Sequence, residues 1–330
     1  MIYASFCIPL NMKLKRGARK MNINFRSYRS EDLLKVRHFL IQSYSKLKTP
    51  NTWLIDRWEF VVFFQETRSG TLEQWEQKVG LWEYENGELA AVVCRDDGFY
   101  FQCAEMNPPE KLLEEMFAFA EQKAEEENGG YVELYVPIPE NMASAAEVAR
   151  KRGYHQTGGK ESVNSLRLDK EFPVELPSGF RICSGDEIEV TAKALGHIMA
   201  FDYAETAEAE LTLLHYGNMS NAPSYNPQLD LSVVNDAGEV VSFCNIFWDS
   251  SNRIGILEPV GTSINYRKLG LGRAVLHEGF NRLKQLGASK VYVGSMQPFY
   301  EKLGFTTEVW LQVWEYSGHT DLSCSGCPQL

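Results

Sequence analysis

Hydrophobic positions recur along this chain with the two-residue period of strands and with the three-to-four-residue period of helices. Both patterns are clear between positions 252 and 305. Arg253 to Gly261 alternates and is bounded by turn residues, which predicts a strand. Leu276, Phe280 and Leu283 then recur at helical spacing, which predicts a helix that stops at Gly287.

A glycine-bearing loop, Arg267-Lys268-Leu269-Gly270-Leu271-Gly272, joins that strand to that helix. Backbone N–H groups of Leu269 to Ala274 would have no helical acceptors and would point outward at the positive end of the helix dipole. Glycine at 270 and 272 lets an anion approach without a Cβ in the way. The loop therefore predicts a phosphate site. A strand at Lys290 to Gly294 and a short helix from Pro298 to Gly304 follow.

The two halves of the chain repeat the same landmarks at nearly constant distance, which predicts a duplicated unit. Three pairs of segments show it, with offsets of 155, 151 and 151 positions: Phe25-Arg26-Ser27 with Phe180-Arg181-Ile182, Asn86 to Leu89 with Ala237 to Val240, and Arg152-Gly153-Tyr154 with Leu303-Gly304-Phe305. Glu171 to Gly179 carries two prolines and a glycine and is the predicted linker.

The first unit is predicted to contain the strands and helices Phe25 to Tyr28, Asp32 to Tyr44, Leu54 to Glu66, Val79 to Tyr84, Leu89 to Arg95, Gly98 to Cys103, Lys111 to Ala124, Tyr131 to Val136 and Ala143 to Arg152. Ala104 to Glu110 stands where a phosphate loop belongs. This segment has no glycine, two prolines that lack N–H donors, and two carboxylates, so it would repel an anion. We therefore predict that the first half keeps the fold and has lost the cofactor site.

The second unit is predicted to run through two helices, a hairpin and a closing strand: Asp186 to Phe201, Ala207 to Tyr216, Leu229 to Val234 with Val240 to Trp248, and Glu308 to Tyr316. The polar loop Asn218 to Pro227 is predicted to overhang the acceptor side. The predicted organisation is an extension or misassigned start at 1–20, a degenerate domain at 21–170, the linker at 171–179, a cofactor-binding domain at 180–318 and a tail at 319–330.

Composition fits a globular protein of about two domains, with 44% hydrophobic and 23% charged residues in 330 positions. Seven scattered cysteines and no secretory signal favour reduced thiols and a cytoplasmic location. Cys324 and Cys327 have no second ligand pair beside them, and no metal is predicted. The apolar run before Lys13 is far too short to span a bilayer, so no membrane association is predicted.

Charge is unevenly distributed along the chain. Residues 1–20 carry five basic side chains and no acids, which leaves −16 on the rest of a chain whose total is −11. A chain segment with this much negative charge is expected to bind nucleic acid poorly and to attract cationic small molecules. A small amine is thus a compatible partner and a nucleic acid is not. No oligomeric state is predicted.

The stretch from 252 to 305 resembles the acetyl-CoA-binding core of the GNAT superfamily of N-acetyltransferases. In that family a Q/R-x-x-G-x-G/A loop follows the fourth strand and a Y-x-x-x-G-F element follows the fifth. Arg267 to Gly272 and Tyr300 to Phe305 match these motifs in the right order. The resemblance implies an α/β (α+β) fold of two tandem GNAT-like domains, each a mixed twisted sheet flanked by helices, laid out similarly to the mycothiol synthases.

The resemblance also implies a site for acetyl-CoA, with the fourth and fifth strands splayed apart. The implied cofactor-binding residues are Val260, Gly261, Thr262, Arg267, Lys268, Leu269, Gly270, Leu271, Gly272, Arg273 and Ala274. Tyr300 takes the place of the proton donor to the thiolate, or else packs against the sheet. Pro259 either marks the family's bulge or removes one donor.

Glu258 is the candidate base, because alternation places it on one face with Ile254, Ile256 and Val260. The family's glutamate lies two residues earlier, where this chain has Ile256, and a structural hydrogen bond is the alternative role for Glu258. His197 and His215 are expected to be packed or solvated, and Cys244 to be a buried thiol. The aromatic residues Phe243, Phe247, Trp248, Trp310 and Trp314 are expected mostly in the core, with one or two in the acceptor cleft.

The function implied is an acyltransferase (transferring groups other than aminoacyl groups) in which the second half moves acetyl from acetyl-CoA to a small-molecule primary amine. Direct attack in a ternary complex is preferred to a covalent acetyl-enzyme. Two alternatives stay open: a non-catalytic acyl-CoA sensor or scaffold, and an acyltransferase that acts on a protein or peptide amine.

Overall fold

The computed structural model describes residues 22–64 and 71–318. The strands of these described residues are β1 Ile23–Ser27, β2 Gly80–Tyr84, β3 Leu89–Arg95, β4 Phe99–Cys103, β5 Val132–Pro139, β6 His155–Arg167, β7 Phe180–Ser184, β8 Asp230–Asn235, β9 Val240–Asp249, β10 Ile254–Thr262, β11 Lys290–Val293 and β12 Thr306–Gly318. The helices are α1 Leu33–Leu47, α2 Ile55–Phe64, α3 Leu72–Glu76, α4 Glu110–Glu127, α5 Ala143–Lys151, α6 Val190–Phe201, α7 Ala207–His215, α8 Leu271–Gln285 and α9 Pro298–Leu303.

Most predicted elements lie where the hydrophobic pattern put them. The predicted core face of α8 is confirmed, because Leu276, Phe280 and Leu283 are all fully buried. The helix ends two residues before Gly287, whose φ of +88° continues the chain in a conformation that glycine tolerates. The helix predicted from Asp186 begins later, at Val190.

The described strands form two sheets. β1 to β4 form an antiparallel four-stranded sheet in sequence order. The other eight strands form one sheet in the order β5-β12-β6-β11-β10-β9-β8-β7. Helices cover both faces of each sheet, so the predicted α/β class is confirmed.

The final strand occupies a place that the sequence reasoning did not predict. Glu308 to Tyr316 was expected to close the sheet of the second half. Instead β12 lies between β5 and β6 of the first half, paired antiparallel with both. The strand beside β11, at the end of the second half's own strands, is β6 from the first half. The prediction was wrong because it assumed that each copy would complete its own sheet.

The exchange between the halves is reciprocal. β6 and β12 are both 13 residues long and begin 151 positions apart, which is the offset of the sequence repeat. Each half therefore gives its last strand to the other half's sheet. No strand had been assigned to 155–167. The predicted linker, 171–179, has no helix or strand, but the sheets do not divide there.

α2 of the first half packs against β9 and β10 of the second half. Its Glu59 is fully buried, lies 2.7 Å from Arg37, and accepts hydrogen bonds from the backbone and the hydroxyl of Ser224 at 2.8 Å each. Ser224 belongs to the polar loop that was expected to overhang the acceptor side. Buried hydrogen bonds of this kind fix α2 across the second sheet.

The predicted extension at 1–20 and tail at 319–330 lie outside the described residues, together with Cys7, Cys324 and Cys327. Cys94, Cys103, Cys183 and Cys244 are buried free thiols. In the part of the chain that the structure describes, no helix is both long and apolar enough to cross a membrane.

Candidate active site

The loop between β10 and α8 presents unpaired backbone donors. Lys268 and Gly270 have positive φ values of +67° and +87°, and Gly270 is the N-cap of α8. The first backbone bond in the helix runs from the N–H of Ala274 to the carbonyl of Gly270, at 3.0 Å. Within the described residues, the N–H groups of 269–273 have no backbone acceptor. A Cβ on Gly270 would meet no heavy atom within 4 Å, so the space in front of the loop is open.

Arg267 holds the loop in place through its side chain. Its Nε donates to the carbonyl of Thr262 and its Nη2 to the carbonyl of Ala200, each at 3.0 Å. These bonds tie the loop to the end of β10 and to α6. Arg273 instead reaches Glu175 in the linker, at 2.9 Å. Arg267, one of the predicted cofactor-binding residues, therefore stabilises the position of the loop.

β10 and β11 separate halfway along β10. Parallel pairing joins Ile254–Leu257 to Lys290–Val293, and β10 continues to Thr262 after β11 has ended. The N–H of Ser263 donates to the carbonyl of Val241 on β9. Because backbone groups of successive residues point to opposite sides of a strand, those of Val260 and Thr262 point away from β9, toward the side that β11 has left open. Gly261 packs tightly, since a Cβ there would lie 2.5 Å from the ring of Phe243.

A bulge interrupts β10 at Glu258 and Pro259, where its register with β9 shifts. Of the two roles left open for Pro259, the structure shows the bulge. The shift also corrects one prediction, because Val260 does not share a face with Ile254 and Ile256. Those two isoleucines pack with Phe247 and first-half residues, whereas Val260 packs on the α8 side. Asn245 supports the bulge by donating its Nδ2 to the carbonyl of Glu258 at 3.0 Å.

Tyr300 lies on α9 with 6% of its surface exposed, packed against Phe299 and Phe305. Burial raises the pKa of Tyr300 above its usual value, and the charge of Glu258 raises it further. The phenol therefore stays protonated at neutral pH, as a proton donor must.

Glu258 borders a cavity of about 210 Å³ on the sheet face opposite α8. The cavity begins where β10 and β11 separate, at Glu258, Val293 and Gly294. Its other wall comes largely from the first half of the chain, including the segment 52–57, Tyr100 on β4 and the segment 161–163 on β6. The Oε1 of Glu258 lies 3.6 Å from the Nη1 of Arg57.

Sequence reasoning missed the first-half residues around this cavity. Asp56 is the second residue of α2 and is 8% exposed, and burial raises its pKa to about 7, with the charge of Glu258 adding to the effect. Glu161 accepts a hydrogen bond from the hydroxyl of Tyr100 at 3.1 Å, and burial raises its pKa. In the sequence, Asp56 is an aspartate near the start of an aromatic helix and Glu161 is a glutamate in a polar stretch. Neither pattern indicates that the residue lies near β10.

The other candidate side chains have local roles. His197 lies among aromatic rings with Nδ1 2.7 Å from the hydroxyl of Tyr203, and burial lowers its pKa to about 4. Cys244 is fully buried, which raises the pKa of its thiol. The cavity is not lined by Phe243, Phe247, Trp248, Trp310 or Trp314; among the described residues its aromatic lining is Trp53, Tyr100 and Tyr292.

The corresponding loop of the first half has lost these donors. Pro109 is the N-cap of α4 and follows Pro108, so two consecutive positions before the helix have no N–H. Glu105 in the same loop adds a carboxylate and pairs with Lys46 at 3.4 Å. Both features disfavour an anion there, and the loss of the cofactor site from the first half stays a prediction.

Part of the second half is similar in sequence to a GNAT domain. Residues 227–307 match the family model described as an acetyltransferase (GNAT) domain, a range that contains the loop, Glu258 and Tyr300. The chain as a whole has the two-copy GNAT fold. A search of curated proteins gave no significant match.

Two solved structures show that fold over nearly their whole length. A GCN5-related N-acetyltransferase from Sphaerobacter thermophilus has a TM-score of 0.59 at 16% identity, covering 89% of this chain and 95% of that one. A tandem GNAT protein from the clavulanic acid biosynthesis pathway has a TM-score of 0.61 at 13% identity, covering 91% and 100%. At such identities the likeness establishes the fold alone.

Proposed function

We propose that this protein is an acetyl-CoA-dependent N-acetyltransferase whose second half acetylates a primary amine of a small molecule. The observation that carries the proposal is the alignment of three features along β10. The open N–H groups of 269–273 suit a pyrophosphate, the unpaired edge of β10 suits an extended pantetheine arm, and the cavity at Glu258 suits an acceptor.

Acetyl-CoA supplies an acyl group that is activated as a thioester. The loop donors and the α8 dipole would hold its phosphates, while the N–H groups of Val260 and Thr262 point where an acyl or amide oxygen could accept them. Glu258 would take a proton from the acceptor amine, directly or through water. Tyr300 would return a proton to the departing thiolate sulfur.

Direct attack by the amine agrees better with this site than a covalent acetyl-enzyme. A cysteine nucleophile has to reach the thiolate form. Cys244 is fully buried with a raised pKa, and its Sγ lies 3.7 Å from the carbonyl of Val275 as a donor. The amine therefore has no evident competitor on β9 for the acyl group.

Calorimetric titration with acetyl-CoA tests the placement of the site, and a screen of amines for CoA release tests the activity. We expect one binding site per chain. Gly270→Asp should abolish binding because it puts a carboxylate in front of the donors, whereas Gly270→Asn, with the same shape and backbone requirement, should bind appreciably. Equal affinity of the two variants would refute the loop as the phosphate site.

The screen also separates the remaining alternatives. Tight binding of acetyl-CoA without CoA release by any amine would favour a sensor or scaffold. Release with a peptide amine and with no small amine would move the acceptor to the protein class. The proposal requires release with a small amine.

A further inference from the structure

We propose that the acceptor is a small amine with a second cationic centre, held by carboxylates that the first half of the chain contributes to the cavity at Glu258. This inference rests on the proposed function and assigns a binding role to the half that lacks the cofactor loop.

The cavity is lined by residues of both halves. Glu258 and Gly294 border it where β10 and β11 separate, and Asp56, Tyr100 and Glu161 face them from three different first-half elements. Its volume of about 210 Å³ lies below the roughly 300–1,000 Å³ of pockets for drug-sized ligands. A short amine fits these dimensions better than a protein segment does.

The charges around the cavity do not balance. Asp56, Glu161 and Glu258 line it, and Arg57 is the single cation among the described lining residues. Arg57 also forms an ion pair with Asp96, whose side chain is 1% exposed. The guanidinium is therefore shared between Asp96 and Glu258, and the cavity keeps an excess of negative charge.

Two of the carboxylates have no cationic partner of their own among the described residues. The hydrogen bonds of Asp56 come from the backbone amides of 56 and 57 at the start of α2. Glu161 is bonded by the hydroxyl of Tyr100, a neutral donor. Burial raises the pKa of both groups, and these hydrogen bonds and the charge of Arg57 offset that rise only in part. An ammonium placed between them would offset the rest of the desolvation cost.

The aromatic walls suit a cation as well. The rings of Trp53 and Tyr100 lie 5.1 Å apart, and both line the cavity. Faces of such rings attract ammonium groups. One amine of the acceptor has to lose its proton beside Glu258, so the charge that remains for Asp56 and Glu161 has to come from a second group.

The test compares diaminobutane with aminobutanol and butylamine, which have the same four-carbon chain but carry a single amine. We expect kcat/KM for diaminobutane to exceed that for the other two by roughly tenfold or more, the scale of one charge-assisted hydrogen bond. Glu161→Gln should remove most of this preference through KM and leave the affinity for acetyl-CoA unchanged. Glu147→Gln, on the exposed face of α5, is the matched control and should keep the preference.

Three results would overturn the inference. The first is equal kcat/KM for the three amines. The second is a preference for diaminobutane that persists in both Glu161→Gln and Asp56→Asn. The third is that both variants lose affinity for acetyl-CoA as well as this preference. In the first two cases, continued CoA release would leave the proposed function intact.

If no amine releases CoA, the proposed function fails, and direct binding decides the inference separately. Calorimetry of diaminobutane with the CoA-saturated protein should then show binding that Glu161→Gln weakens roughly tenfold. Absence of binding to the unaltered protein would overturn the inference.

Discussion

Single side chains around β10 are tuned by burial more than by pairing. Burial raises the pKa of Tyr300 and of Cys244, so both groups stay protonated at neutral pH. It also raises the pKa of Asp56 to about 7, so this carboxyl group is partly protonated near neutral pH. These shifts have the same cause, because a group removed from water resists its charged form. Their consequences differ with position, and each can be measured by a single substitution.

Tyr300→Phe removes the phenol and keeps the ring that packs against Phe305. If Tyr300 gives its proton to the thiolate, kcat should fall roughly a hundredfold while the affinity for acetyl-CoA stays the same. Steady-state kinetics and calorimetry measure the two quantities. Full activity in the variant would return Tyr300 to a packing role.

Asp56→Asn should change how stability depends on pH. The folded pKa of Asp56, about 7, lies above the value of about 3.9 expected for the unfolded chain. The folded state therefore holds this proton more tightly, and the stability it provides is lost as pH rises from about 4 through about 7. Asparagine cannot lose the proton.

We therefore expect the melting temperature of Asp56→Asn, relative to the unaltered protein, to rise between a pH of about 4 and a pH of about 8. Asparagine also keeps a side-chain oxygen that can accept the hydrogen bonds from the backbone amides of 56 and 57, so α2 should be preserved. Scanning calorimetry at the two pH values measures the difference. A difference that is constant with pH would show that Asp56 titrates normally.

At the scale of elements, α2 connects the first half to the site. The helix carries Asp56 and Arg57 at its first turn, next to the cavity, and Glu59 one turn along holds it to Ser224 of the second half. Pairing of β10 with β11 ends at Leu257, so the opening belongs to the second half, whereas the wall facing it belongs to the first. The position of α2 therefore controls the shape of the cavity.

Glu59→Ala should lower the free energy of unfolding by about 3–5 kcal/mol, because it leaves a partly buried Arg37 and the amide of Ser224 without their acceptor. Glu59→Gln keeps the shape and one of the two acceptor oxygens and should cost less. Denaturant unfolding measures both. Equal losses in the two variants would mean that the hydrogen bonds which glutamine can retain contribute little.

At the scale of the whole molecule, the exchange of β6 and β12 makes the two halves interdependent. β12 pairs with β5 and β6 along most of its length, and β6 completes the edge of β11. The eight-stranded sheet takes strands from both halves, whereas β1 to β4 form a separate sheet within the first half. We infer that the halves fold together, even though the sequence repeats and carries a linker.

A chain that ends at Phe305 lacks β12 and should lose the first half's structure as well as its own terminus. β5 and β6 would be left without the strand that joins them. A chain that ends at Gly318 keeps every described strand and is the control. Circular dichroism and thermal unfolding of both chains measure the effect. A cooperative transition in the shorter chain would show that the exchange is dispensable.

Most local structure could be predicted from the sequence, because it depends on near neighbours. Leu276, Phe280 and Leu283 define a helical face by spacing alone, and Pro298 and Gly304 bound the short helix of Tyr300. The unpaired N–H donors of the loop from Arg267 to Gly272 could likewise be predicted, since a strand, two glycines and a helix start are enough to indicate them.

β6 could not be predicted in this way. Gly158 and Gly159 interrupt it, and its polar residues give no clear alternation. Ser162, Asn164 and Ser165 are buried because β11 and β12 lie beside them, not because they are hydrophobic. The face of Val260 was wrong for a related reason, because a bulge changes the side on which every later residue lies.

The sequence by itself determined most of the elements, the repeat and the glycine-bearing loop that is predicted to bind phosphate, since periodicity, glycine positions and capping act over a few residues. Tertiary structure alone decided which strand closes which sheet and which side chains surround Glu258. Asp56 and Glu161 are some hundred residues or more from Glu258 along the chain, and long-range pairing brings them to one cavity. Such pairing depends on the packing of whole sheets, and no short segment encodes it.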